Sequence, residues 1–246
     1  MTPQISIVDL MIAFVPVLLV LMLMWRAQHD VKKSVAALAR MLMQLILVGY
    51  FLLYIFNNSA PEYTAGLLLL MMSFASWISL NVAEKRTLAL FIKALLAILI
   101  GGGAVLIVIT QGVLDIEPWY NPRYILPLAG MIFASSMTAI SLSLERYYAE
   151  LKHNTCENAL NVGFKAAMIP VVNSMLAVGV VSLPGMMTGQ ILSGVEPYIA
   201  ARYQIMVMAM MFSATGLTVF VFLKLLAERS KASDSTRGLS SKRTQE

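Results

Sequence analysis

Seven long apolar stretches, separated by short polar segments, dominate the pattern of hydrophobic and polar positions along the chain. A helix that crosses the hydrocarbon core of a bilayer needs about 20 mainly apolar residues. The pattern therefore predicts an all-α, polytopic membrane protein whose membrane domain covers residues 1–229. The spanning helices are predicted at 7–25, 35–56, 65–83, 88–112, 124–144, 166–192 and 204–227.

The sixth stretch contains a chain break that a simple lipid-facing helix does not need. Pro184 and Gly185 are both unfavourable inside a helix, and Thr188 and Gln190 add polar groups just after them. The segment is either a bent span or a span followed by a re-entrant turn. Irregular backbone survives at membrane depth only where protein buries it or where it lines a water-filled cavity. Pro184 and Gly185 are therefore candidates for a hinge or gate, with Gln190 near its mouth.

Two methionines, Met186 and Met187, directly follow this break. Thioether sulfur suits soft ions such as Cu(I) better than Fe(II). The chain has 18 methionines, however, and most occupy plain positions within the spans. Because methionine fills irregular gaps between helices, we predict packing as the main role of this pair and metal contact only as the second. No metal-binding residues are assigned.

Other polar side chains within the spans are further candidates for a transport path. Gln44 lies deep in the second span, where the alternative role is an interhelical hydrogen bond. Asn173 and Ser174 follow Pro170, which frees a backbone carbonyl one turn earlier. These two side chains either satisfy that carbonyl or face a cavity.

Basic residues fall beside every second connection between the predicted spans. All but two of the 18 lysines and arginines, Arg123 and Arg202, flank the first, third and fifth loops or lie at the C-terminal end. Cytoplasmic loops carry an excess of Lys and Arg, so the pattern predicts an N-terminus outside and a cytoplasmic C-terminus. The tail, residues 230–246, is rich in Ser, Lys and Arg and is predicted to be disordered and cytoplasmic.

The composition and the motifs limit the chemistry that the chain can perform. Hydrophobic residues make up 59% and charged residues 13% of the chain. No Walker phosphate-binding loop occurs, and no metal site or catalytic triad is recognisable. The predicted spans carry no Asp, Glu or His near their centres, although ion-driven transporters usually need one. We therefore predict no enzyme and no nucleic-acid partner, and we expect a partner to supply the energy for any uphill transport.

Five segments of the chain resemble one known family, the FetB/YbbM-type (UPF0014) family of ABC transporter permease subunits linked to iron export. The resemblance covers nearly the whole chain, and its most specific part is the Ser-Leu-Pro-Gly-Met-Met stretch. It implies a multi-pass protein of the cell inner (plasma) membrane that carries a metal ion such as iron outward. The segments are ARMLMQLILVGY (39–50), LPLAGMI (126–132), IPVVNS (169–174), VGVVSLPGMMTGQILSG (178–194) and RYQIMVM (202–208).

The resemblance also implies partners for the chain. ATP would bind to a separate cytosolic ABC ATPase subunit, the chain itself would hold no cofactor, and two permeases would form a homodimer in the lipid bilayer. The ATPase would push on the loop at 145–165, whose family-like residues are Glu157, Ala159, Leu160 and Gly163. This loop is shorter than in the family and has Phe164 where Ala is usual. Two alternatives stay open: a secondary transporter or channel for a small solute, and a non-transporting membrane partner protein, which the shortened loop favours.

Overall fold

The computed structural model describes residues 6–28, 30–57, 60–83 and 85–243, and it divides the chain into two compact units. The first unit comprises Met1–Asn58 together with Leu192–Gly194, and the second comprises Ser59–Ile191 and Val195–Glu246. Every long element in the described residues is helical. Seven of these helices are long and apolar enough to cross a membrane, as the sequence predicts.

The first unit contains three helices, α1 (Ile7–Ala13), α2 (Val15–Arg26) and α3 (Val31–Asn57). The main chain turns at Phe14 between α1 and α2, where Pro16 lacks the amide that would continue the hydrogen-bond ladder. Asp30 precedes α3 and accepts a hydrogen bond from the backbone amide of Lys33. The Lys33 side chain also bonds the Asp30 carboxylate and lowers the pKa of that carboxyl below its ordinary value.

The second unit contains the remaining five spans. The fourth span of the chain, residues 88–113, alternates α-helical and π-helical segments without interruption. The elements are α4 (Pro61–Ser79) with a 3₁₀ turn (Leu80–Val82), α5 (Leu88–Ala97), a π segment (Ile98–Gly103), α6 (Ala104–Ile107), a π segment (Val108–Val113), α7 (Pro122–Leu151), α8 (Cys156–Ala177), α9 (Gly185–Leu192) and α10 (Pro197–Arg243).

The predicted sixth span, 166–192, is wrong in both of its limits. The membrane-length helix is α8, which runs from Cys156 to Ala177. Thr155 caps its first turn by accepting a hydrogen bond from the amide of Asn158. The polar residues of the first turns suggested a loop, yet they lie on one exposed face of a helix whose other face is buried.

The chain break also lies earlier than Pro184-Gly185. The helix stops at Val178, and a tight turn follows in which Gly179 adopts φ +82° and donates its amide to the Ser182 carbonyl. Only glycine adopts this backbone conformation at little cost. Pro184 then stands at the start of α9, where a missing amide does no harm, and its carbonyl accepts from the Thr188 amide at 2.9 Å. The sequence left open a bent span or a span followed by a re-entrant turn. The structure has a span followed by a tight turn and a short helix.

The predicted cytosolic loop at 145–165 is a helical hairpin rather than a loop. Residue 145 lies within α7, which continues to Leu151, and a short turn leads to Cys156 at the start of α8. The hydroxyl of Tyr147 lies 3.6 Å from the Cys156 sulfur, and the Asn154 amide donates to Glu150 at 2.7 Å. These contacts hold the two helices close together beside the turn.

Close approaches of glycine to neighbouring helices set the packing of the second unit. A Cβ atom on Gly101 would lie 2.5 Å from the backbone nitrogen of Thr218 in α10, and one on Gly163 would lie 2.8 Å from the Ser143 carbonyl oxygen in α7. Side chains cannot occupy these positions without moving a helix. Gly101 and Gly102 of the glycine run therefore serve helix packing, since a Cβ on Gly102 would lie 2.9 Å from the Ile132 side chain of α7.

Polar contacts show the relative directions of the helices within the second unit. Lys93 donates to the Leu225 carbonyl, so the start of the fourth span meets the end of the seventh. Ser141 in α7 donates to the Ser79 carbonyl at 2.9 Å, so α4 and α7 end near each other. Because α7 and α8 form a hairpin, the basic residues near 85–93, 146–165 and 224 are gathered at one end of this unit.

The last helix continues beyond the apolar residues. Its membrane-length part ends at Ala227, and its backbone is helical to Arg243, inside the tail predicted to be disordered. An isolated helix of polar residues is marginal in water, so the disorder of residues 230–246 stays a prediction. Residues 244–246 lie outside the described part of the chain.

Replacing Gly101 by alanine should destabilise the protein, whereas the same change at Gly103 should not. The new methyl group at Gly101 meets main-chain atoms of Thr218, but at Gly103 the nearest atom is 3.8 Å away on the Leu99 side chain. We expect a loss of about 1–3 kcal/mol for Gly101→Ala and no loss for Gly103→Ala. Unfolding of the purified protein in detergent would measure both, and equal stabilities would contradict the packing described here.

Candidate functional site

A groove along α8 and α10, which α7 also borders, contains several of the polar and thioether groups of the second unit. The two helices run antiparallel, and each presents one stripe of residues to the groove. On α10 the stripe is Gln204, Met208, Met211 and Thr215, at spacings of four, three and four residues, which place them on one helical face. The stretch from Ala201 to Thr215 is about 20 Å long at the rise of an α-helix, two-thirds of the hydrocarbon thickness of about 30 Å.

One cavity in this groove, which we call the hydroxyl cavity, has a volume of about 380 Å³. Three of its hydroxyl groups donate to carbonyls of their own helices: Ser135 to Ile132, Thr138 to Ala134, and Ser174 to Pro170. Their donors are thus used, and the hydroxyl oxygens keep acceptor lone pairs. The lining residues are Met131, Ala134, Ser135, Thr138, Ala139, Ala167, Pro170, Val171, Ser174, Met211 and Thr215.

The second cavity, which we call the methionine cavity, lies next to the first along the same groove and has a volume of about 400 Å³. Three methionines from three different helices, Met175, Met187 and Met208, contribute to its wall. Gln204 brings the polar side chain. The other lining residues are Val178, Gly179, Ala201, Ile205 and Ala209.

Each cavity contains one buried polar atom without a hydrogen-bond partner among the residues that the structure describes. These atoms are Oγ1 of Thr215 and Oε1 of Gln204, on residues that are only 2% and 5% exposed. A buried polar group that lacks a partner costs about 1–3 kcal/mol, and native proteins usually avoid this cost. Both atoms have almost no surface open to the cavities, so each side chain would have to move to gain water or a ligand as a partner.

Only two of the residues predicted from the sequence line these cavities. Ser174 lies in the hydroxyl cavity and bonds the carbonyl of Pro170 itself, so it does not satisfy the carbonyl that the proline frees. Met187 lies in the methionine cavity, whereas its neighbour Met186 packs against the hydrophobic core. Asn173 is exposed and belongs to neither cavity wall.

The remaining path candidates lie elsewhere. Pro184 and Gly185 begin α9, as described above. Gln190 belongs to the same short helix, and its Oε1 is buried with no hydrogen-bond partner in the described part of the chain. Gln44 is an exposed residue of α3 in the first unit. A transport role for these four residues stays a prediction.

The four residues predicted to couple the chain to an ATPase lie in the first two turns of α8, and most of them face inward. Ala159 and Gly163 are buried, and Leu160 packs against the core. Glu157 alone of the four is exposed. The exposed face of this part of α8 consists of Glu157, Asn158, Asn161 and Lys165.

Sequence reasoning did not assign roles to Thr215, Gln204, Met175 or Met208. The spacing of the α10 stripe was visible in the sequence, but nothing in it showed that this stripe faces a groove rather than the core. Groups of three or more His, Cys, Asp or Glu residues that could hold a metal ion do not occur in the described residues. Any cation in this groove would therefore meet oxygen and thioether groups without formal charge.

Comparison with known proteins gives consistent matches along the chain. A family model described as "Uncharacterised protein family (UPF0014)" matches residues 7–164 and 152–230. The two matched stretches overlap at residues 152–164, in the α7–α8 hairpin. Solved structures give no significant match.

Three curated relatives are similar over most of their length. The "UPF0014 membrane protein slr1647" of Synechocystis is 34% identical over 76% of this chain and 78% of the relative. The "Probable iron export permease protein FetB" of Escherichia coli is 32% identical over 75% and 76%. "Protein ALUMINUM SENSITIVE 3" of Arabidopsis thaliana is 30% identical over 82% and 79%. Because the family model matches from the first helix into the last, the chain belongs to the UPF0014 family of multi-pass membrane proteins.

Proposed function

We propose that the chain is the membrane-spanning permease subunit of an ATP-driven transporter that exports a metal ion such as iron. The similarity to a relative named as a probable iron export permease carries this proposal. The groove between α8 and α10 supports it, because hydroxyl and thioether groups line its two cavities within an otherwise apolar part of the chain, and such groups suit water and a passing cation. The cargo path then follows the α10 stripe from Thr215 to Gln204.

The ATPase subunit would bind at the end of the second unit where the α7–α8 hairpin lies. Basic residues gather at this end, and such residues mark the cytoplasmic side. The hairpin packs tightly through Gly163 against Ser143, so a push on its turn would move α7 and α8 together. Movement of α8 relative to α10 would open and close the groove between them.

The orientation of the chain is tested by labelling introduced cysteines in a Cys156→Ser background. Asn154→Cys lies in the α7–α8 turn and Asn121→Cys lies at the opposite end of α7. We expect a membrane-impermeant maleimide to label residue 154 only from the cytoplasmic side and residue 121 only from outside. The reverse pattern would overturn the assignment of N-terminus outside and C-terminus inside.

Binding of the ATPase should depend on the exposed face of α8. The double variant Glu157→Arg/Asn161→Arg places two cations on that face and leaves the buried side of α8 unchanged. We expect the ATPase from the neighbouring gene to co-purify at least about tenfold less well, because misplaced charge at an interface costs several kcal/mol. Glu196→Arg, at the other end of the unit, is the matched control and should not change co-purification.

The permease and the ATPase, reconstituted together in vesicles, test the transport function itself. ATP-dependent movement of Fe²⁺ is expected with the unmodified permease and the Glu196→Arg control, and it should fall with the double variant. Flux that continues without the ATPase and stops when an ion gradient is collapsed would instead identify a secondary transporter.

Replacing Thr215 by valine should reduce transport without reducing stability. The change removes a buried hydroxyl that has no partner in the described residues, so unfolding should be unchanged or up to about 1 kcal/mol harder. Thr218→Val, one turn away on α10, removes the 3.2 Å contact with the Ser136 hydroxyl and should destabilise the protein by about 1 kcal/mol. Equal destabilisation by both variants would show that Thr215 is bonded within the protein.

A further inference from the structure

Polar side chains on the surface of the α7–α8 hairpin lie near the middle of the bilayer. Residues 124–144 of α7 carry no charged side chain and extend over about 30 Å at the rise of an α-helix, which matches the thickness of the hydrocarbon core. The midpoint of this stretch is Ala134, which lines the hydroxyl cavity together with Ser174 of α8. Asn173, the residue before Ser174, is therefore close to the centre of the membrane.

This part of the hairpin is exposed, although lipid offers its polar groups no partner. Thr138 of α7 and Pro170, Asn173 and Ser174 of α8 are all exposed, and we call these four residues the mid-membrane face. The side-chain amide of Asn173 has no hydrogen-bond partner in the described part of the chain. An amide that faces hydrocarbon without a hydrogen bond is unfavourable, so we expect protein or water to cover this face.

The chain just beyond the mid-membrane face favours protein as the cover. The tight turn that follows α8 begins at Val178, about 7 Å along the helix from Asn173, which is still within the hydrocarbon core. Irregular backbone at this depth survives only where protein buries it or where it lines a water-filled cavity. The side chains at the tip of the turn, Val180 and Val181, are 90% and 80% exposed and do not suit water. A second protein surface would cover both the turn and the face.

The mid-membrane face is complementary to itself. A side-chain amide is both a donor and an acceptor, so Asn173 can exchange two hydrogen bonds with the same residue of a second copy, and asparagine commonly joins transmembrane helices in this way. Ile169 and Leu176, which lie on the same side of α8, are apolar and exposed. No charged side chain occurs between Lys165 and Glu196, so two identical surfaces meet here without like-charge repulsion. Symmetric dimers use one such patch on both subunits.

We propose that two copies of the chain associate through the mid-membrane face, with the Asn173 residues of both copies near the symmetry axis. Thr138 and Ser174 belong both to this face and to the wall of the hydroxyl cavity. The cavity is therefore open on this side, and the second copy closes it. The inference rests on the proposed function for the role of the cavity in transport, and it adds that a single chain has an incomplete path. Association itself needs neither an ATPase nor a cargo ion.

Disulfide cross-linking of the full-length chain in liposomes tests the contact in a Cys156→Ser background. Asn173→Cys should give a covalent dimer on mild oxidation, since the only cysteine of each chain can then pair only with that of another copy. Leu217→Cys on α10 is the matched control. Leu217 is 47% exposed, and its neighbour Thr218 contacts Ser136 of α7 at 3.2 Å, so it lies at nearly the same depth. The control should stay monomeric. Absence of a covalent dimer at residue 173, or equal dimer formation at both positions, would overturn the proposal.

The strength of association tests the role of the amide without cross-linking. Energy transfer between labelled chains, measured while they are diluted with lipid, gives the dissociation constant of the dimer. Asn173→Leu should weaken the dimer about tenfold, because both copies lose their interhelical hydrogen bonds. Asn173→Gln keeps the amide and should change the constant by no more than a factor of about three, and Leu217→Ala by no more than about two. An unchanged constant for Asn173→Leu would contradict the proposal.

The outcome for this interface is separable from the outcome for transport. Dimers that form as expected but carry no ion with ATP would overturn only the proposed function. ATP-dependent flux through a chain that stays monomeric would overturn only the mid-membrane interface.

Discussion

The contact between Gly101 and the backbone of Thr218 determines where α10 lies, and the groove depends on that position. No side chain separates the two helices there, and the Ser136–Thr218 and Lys93–Leu225 contacts hold α10 to the same neighbours on either side. One face of α10 therefore packs against the core. On α8, Gly163 makes a similar close contact with α7. The two helices also meet directly, since Gly216 of α10 lies against the Met168 side chain of α8, and the cavities lie along the rest of their length.

Three of the four hydroxyl groups that line the hydroxyl cavity already donate hydrogen bonds within their own helices. Hydroxyl groups on transmembrane helices commonly donate to a carbonyl in the preceding turn, and Ser135, Thr138 and Ser174 all do so. Their remaining lone pairs can only accept. The Thr215 hydroxyl, in contrast, has no partner in the described residues and keeps its donor. The wall of the hydroxyl cavity therefore offers more acceptors than donors, and it carries no carboxylate.

The sequence could predict the number of spans because hydrophobic length alone is enough to define them. It misplaced the sixth span because helix propensity does not separate an exposed helical face from a loop: Asn158, Asn161 and Lys165 fit either. The break at Gly179 was overlooked beside the more conspicuous Pro184. The cavities could not be predicted at all, since the spacing of residues on α10 gives a face but not the element opposite it. Of the predicted path residues, Ser174 and Met187 line the cavities, and their transport role stays a prediction.

The two cavities differ in the donor atoms that their walls carry. The hydroxyl cavity is lined by serine and threonine hydroxyl groups, whereas three thioether groups and one amide interrupt an apolar wall in the methionine cavity. Oxygen atoms suit hard cations and thioether sulfur suits soft ones, so the two cavities differ in the ions that they would accept. Neither wall carries a charged side chain. Under the proposed function, a cation would therefore be held weakly enough for release, which a transport path requires as much as it requires binding.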